Sequence, residues 1–139
     1  MPATPSRNAN IALWVVQVLV AAVFLMAGST KFMMPVDQMT KGTVFTGGFM
    51  HFIGACELLG ALGLLLPGIT RRHRGLTPAA ALGLMIIVIG ATVVTLTGPM
   101  PPATAVLPAV VAVLCAVIAW GRRGDLAGAS AAPAPVIAP

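Results

Sequence analysis

Glu57 is a lone carboxylate inside the apolar run 49–66, while Asp37 and Asp125, the only other acidic residues, fall in polar stretches. A charge near the centre of a bilayer costs at least ~2.5–3.5 kcal/mol on insertion scales, so such a residue faces a polar cavity, takes a partner or keeps a proton. The default reading of an intramembrane carboxyl is a functional site, against a bland alternative of a neutral carboxyl hydrogen-bonded between helices. Depth can be counted at about 1.5 Å per helical residue. On that count Gln17 lies low in the first apolar segment, within about 5–9 Å of the level of Glu57, so a hydrogen bond between them is expected. His51 lies two turns outward of Glu57, Lys31 closes the first segment at that outer level, and Thr92, Thr95 and Thr97 reach it from the third. The expectation is a polar pocket opening outward with Glu57 at its floor. Glu57 and Lys31 would carry its chemistry, and Gln17, His51, Thr92 and Thr95 would bind a ligand. Lys31 is expected a full turn or more from direct contact with Glu57. Against this, Lys31 could simply snorkel to the interface, and His51 could be an interfacial histidine with no ligand role.

Other chemistries are excluded by what the sequence lacks. Cys56 and Cys115 form no Cys-x-x-Cys pair, so they read as small packing residues rather than a dithiol relay. Two cysteines and two separated histidines, His51 and His73, give no metal-ligand spacing. No metal and no intrinsic cofactor is expected. Gly60-Ala61-Leu62-Gly63 is helix packing, not a phosphate loop. Gly54, Gly60 and Gly63 around Glu57 would let neighbouring helices approach closely.

The elements that must position these residues are membrane spans. Hydrophobic residues make up 58% of the 139 residues and charged residues only 8%, with a mean hydropathy of +1.00. A soluble domain carries about 25% charged residues, so the fold class is an all-α integral membrane four-helix bundle. Four segments reach the roughly 17–25 residues a span needs: 11–30, 49–66, 79–97 and 104–120. Thr77-Pro78 supplies an N-cap and first-turn proline, Pro67-Gly68 ends the second helix, and Gly98-Pro99-Met100-Pro101-Pro102 forces a tight connection. Residues 10–123 make one membrane domain, between a disordered tail 1–9 and an Ala/Pro-rich disordered tail 124–139.

Charge sets the orientation. Arg7, Arg71, Arg72, Arg74, Arg122 and Arg123 flank one side of the bundle and only Lys31 and Lys41 the other, which places both termini in the cytoplasm. The net charge of +5 therefore reads as a topology signal, and nucleic acid is not an expected partner. The first segment is longer than a signal-peptide core and Met26-Ala27-Gly28-Ser29 is a poor cleavage site, so it is expected to be retained. The expected surroundings are the lipid bilayer of a bacterial inner membrane.

Phe24-Leu25-Met26-Ala27-Gly28-Ser29-Thr30-Lys31-Phe32 resembles the F-x-x-A-G-x-x-K-F signature that closes helix one of DoxX-like membrane proteins. Residues 52–67, with Glu57-Leu58 and Gly60, resemble that family's second block, and residues 76–84 the start of its third helix. The resemblance implies a four-helix membrane domain with Lys31 and Glu57 as the matched polar positions. It also implies a link to redox chemistry, because family members accompany a quinone-reducing thiosulfate oxidoreductase or complexes that handle oxidative stress; others assist membrane-protein assembly. Since the chain holds no redox centre of its own, electron transfer would need a bound quinone or an oxidoreductase partner. The leading expectation is a membrane component of an oxidoreductase system that binds a quinone-like or other small lipophilic molecule, with a homo-oligomer allowed. The alternatives are a proton-coupled transporter, although small four-helix exporters carry their glutamate on helix one, and a non-catalytic assembly protein.

Overall fold

The computed structural model describes residues 5–130, and side chains as far as Gly128. Its elements are α1 (Arg7–Met33), α2 (Val36–Met39), α3 (Gly47–Thr70), α4 (Leu76–Thr97), a 3-10 turn (Pro102–Ala105), α5 (Val106–Gly121) and α6 (Arg123–Ser130). Among the described residues, four helical stretches are long and apolar enough to cross a membrane: α1, α3, α4 and the turn together with α5. The chain is a multi-pass integral membrane protein. The spans form an antiparallel bundle in which α1 packs mainly on α3, α3 on α4, α4 on α5, and α5 closes back onto α1.

Local chemistry starts the helices a little earlier than hydropathy indicates. The Ser6 hydroxyl accepts from the Ala9 amide and caps α1, so Arg7–Asn10, expected as tail or lead-in, form the first turn. Thr46 does the same for α3 through Phe49. Pro67 does not end α3. It is buried inside the helix, which continues to Thr70 and stops at Arg71 in the left-handed region, φ 56°; neighbouring helices make such a proline tolerable in a membrane bundle. Thr77 is not an N-cap but a buried residue of the first turn of α4. Residues 124–130 of the expected C-terminal tail are helical, within α6, and residues 1–4 and 131–139 of the two tails lie outside the described residues.

The packing is that of a bundle in lipid. A core of Val20, Phe24, Leu64, Leu84, Val111 and Ile118 with small residues between them fills the centre. Leu59, Ile86, Val93, Leu107 and Val113 stay more than half exposed, as a lipid-facing surface requires. Cys115 is fully buried in that core, and both cysteines are free. Two glycines set the spacing of α1 and α3. A Cβ on Gly28 would lie 2.9 Å from the Gly54 carbonyl oxygen, and one on Gly54 would lie 3.1 Å from the Lys31 Cβ. This close approach holds the polar site.

Candidate functional site

Lys31 near the end of α1 and Glu57 in the first half of α3 form an ion pair, Nζ to Oε2 at 2.7 Å. Glu57 is 5% exposed, whereas the Lys31 side chain retains 19%. The Lys31 ammonium also lies 3.4 Å from the Ala27 carbonyl oxygen. The expected separation of at least a turn is therefore corrected. Lys31 lies three residues beyond Gly28 and Glu57 three residues beyond Gly54, a combined axial offset of roughly 9 Å. Every helical Cα–Cβ bond leans toward its own N-terminus. Because α1 and α3 are antiparallel, the two side chains lean toward each other, and the lysine stem spans what remains.

Ion pairing sets an opposite charge beside the buried carboxyl group, which offsets the cost of placing it in an apolar span. The ammonium has three N–H donors; one is committed to Glu57, one is directed at the more distant Ala27 carbonyl, and the third makes no hydrogen bond among the described residues. Phe32, the residue after Lys31, begins an aromatic group. The Phe32 ring stacks on His51 with centroids 5.3 Å apart and planes 19° from parallel, and Phe52 and Phe49 of α3 are followed by Phe45, just before that helix, in a row of neighbouring rings.

The remaining expected site residues separate from this centre. His51 reaches its edge only through Phe32, the neighbour of Lys31, on which it stacks. Thr92 and Thr95 do not: their hydroxyls donate to the Val88 and Ala91 carbonyls of their own helix, at 2.7 and 2.8 Å. The hydrogen bond expected between Gln17 and Glu57 is also absent. Gln17, 1% exposed, donates from Nε2 to the Leu64 carbonyl at 2.8 Å and accepts from Arg122 Nε at 2.9 Å. Leu64 lies seven residues, about 10 Å, along α3 from Glu57.

Gln17 thus belongs to a second polar cluster at the arginine-rich end of the bundle, which sequence reasoning treated only as a topology signal. There it lines a cavity of about 290 Å³ with Asn10, Arg71, Arg74, Arg122 and Asp125. Burial lowers the Arg122 pKa, Asp125 raises it and Arg74 lowers it again; arginine nevertheless stays charged. Neither Glu57 nor Lys31 lines this cavity or the two larger ones beside it. The signal in the sequence was Gln17, an uncharged polar residue in an otherwise apolar run.

Among the described residues no cluster of histidine, cysteine and acidic side chains could hold a metal ion. The Lys31–Glu57 pair sits on the two segments quoted above for their family signatures, and a profile of the DoxX-like family matches residues 15–118. The chain belongs to the DoxX-like family. The match takes in Gln17, the pair, His51 and both threonines, and stops short of Arg122. No curated protein and no solved structure matches the chain.

Proposed function

We propose that this DoxX-like protein is a membrane component of an oxidoreductase or oxidative-stress system that binds a quinone-like or other small lipophilic carbonyl compound beside Lys31 and Glu57. In this reading it sits in a bacterial inner membrane with both termini in the cytoplasm, as the arginine distribution favours. The observation that carries the proposal is the partly exposed Lys31 side chain, whose ammonium is held by Glu57 at 2.7 Å and has a third N–H beyond its two hydrogen bonds. A carbonyl oxygen is the acceptor that such a donor takes at the lipid boundary, where water is scarce.

The residues present fit that class of ligand. Lys31 would donate to one carbonyl oxygen, and the Phe32–His51 stack offers ring faces on which a flat ring can lie. Glu57 keeps the ammonium aimed and can accept a proton from it. A bound quinone would supply the electron-accepting chemistry, since side chains of this type carry none.

Binding of a short-chain benzoquinone to the purified protein in lipid nanodiscs tests the reading. Wild type should bind, Lys31→Met should bind about tenfold more weakly for loss of a charged hydrogen bond, and Thr95→Val should match wild type. Absence of binding to wild type, or equal binding by Lys31→Met, would overturn it. Proton-coupled uptake lost in Glu57→Gln without quinone binding would replace it with the transporter reading.

A further inference from the structure

We infer that the arginine-rich end of the bundle is a binding site for the phosphate headgroup of an anionic phospholipid, with the acyl chain laid in the adjoining groove between α1 and α5. The site is separate from the Lys31–Glu57 pair and does not depend on the redox proposal, since Gln17 and Lys31 lie about 21 Å apart along α1.

Arginines that serve only to orient a membrane protein can extend freely into water. Arg122 does not. Its Nε is fixed on Gln17 Oε1, which is itself anchored to the Leu64 carbonyl, and its Nη2 is buried with no hydrogen-bond partner. A buried guanidinium N–H without an acceptor signals a missing ligand or water. Arg122 lines the 290 Å³ cavity with Arg71 and Arg74, and a neighbouring cleft of about 560 Å³ adds Arg7 and Arg123. Asp125 is the one acidic residue lining either space. The cluster therefore carries an excess of positive charge, and a phosphate oxyanion matches both that excess and the planar arginine fork.

The groove decides between a lipid and a free phosphate. A furrow of about 640 Å³ runs between Ala9, Ala12 and Val16 of α1 and Val113, Ala116 and Val117 of α5. It shares Pro5, Trp120 and Gly121 with the arginine-lined cleft. One amphiphile can therefore place its phosphate among the arginines and an acyl chain along small apolar side chains. Basic pockets between transmembrane helices are a known mode of anionic headgroup recognition.

Native mass spectrometry of the detergent-purified full chain reads the site directly, with phosphatidylglycerol, phosphatidylcholine or inorganic phosphate added in turn. Wild type should retain one phosphatidylglycerol about fivefold or more over phosphatidylcholine, and removing each cavity arginine should cost about fivefold. Arg74→Gln serves where Arg122→Gln disturbs folding through Gln17. Ala12→Phe, on the lipid-facing side, should fill the groove and lower phosphatidylglycerol retention. Equal retention of the two lipids, or full retention by Arg74→Gln and Arg122→Gln alike, would overturn the site. Saturation by inorganic phosphate with no gain from the lipid would overturn the lipid assignment.

Discussion

Lys31 Nζ and Glu57 Oε2 lie 2.7 Å apart although they start from levels of the bundle roughly 9 Å apart. The contact exists because α1 and α3 run antiparallel and approach at Gly28 and Gly54, so that the two side chains incline into one another. Burial is unequal within the pair, and that inequality governs how it responds to mutation.

Glu57 has nowhere to go when its partner is removed, whereas Lys31 can extend to the interface. Lys31→Met is therefore expected to destabilise the bundle by ~3 kcal/mol, the cost of leaving one buried charge uncompensated. Glu57→Gln should cost less, about 1 kcal/mol, because the amide keeps the volume and still offers an oxygen to Lys31. The double variant should be more stable than Lys31→Met alone. Reversible unfolding in mixed micelles measures all three, and a double variant no better than Lys31→Met would show that the two groups are not coupled.

Gly28→Ala should destabilise by roughly 1–3 kcal/mol, since its new methyl meets the Gly54 carbonyl at 2.9 Å and backbone cannot step aside. Gly83 and Gly90 have open space where a Cβ would go, so alanine there should be neutral or stabilising by up to about 1 kcal/mol. Thermal unfolding of the three variants separates a helix contact from general intolerance of alanine.

Gln17→Leu should cost about 1–3 kcal/mol, the range for stranding buried polar partners, because it releases both Arg122 Nε and the Leu64 carbonyl. Thr92→Val and Thr95→Val should each stay within about 0.5 kcal/mol of wild type, as their hydroxyls serve only backbone oxygens one turn earlier. Urea-assisted unfolding of the detergent-solubilised variants checks the order. Threonine variants as damaging as Gln17→Leu would contradict it.

Much of this was legible in the sequence. The lone carboxylate at Glu57 marked one end of the buried ion pair, and uninterrupted apolar length marked four spans, because a lone apolar segment in lipid satisfies its own backbone only as a helix. Contact between Lys31 and Glu57 was not legible. Depth counting follows Cα atoms, and neither the lean of the side chains nor the register fixed by Gly28 and Gly54 is visible in it. The same omission placed Gln17 beside Glu57 rather than beside Leu64. Pro67 misled for a different reason: it is a stop signal in water, but inside a bundle its lost hydrogen bond does not break the helix. Arg122 was hidden because its role depends on α1 and α5, far apart in sequence, meeting at Gln17.

The central claim is that the Lys31–Glu57 pair receives a ligand rather than merely joining two helices. Photolabelling with an azidobenzoquinone in nanodiscs, followed by peptide mapping, tests it most directly. The account predicts label on residues 24–32 and 49–58, displaced by excess unlabelled quinone and lost in the Lys31→Met/Glu57→Gln double variant while that variant remains folded. Label that falls elsewhere, or that persists undiminished in the folded double variant, would contradict it.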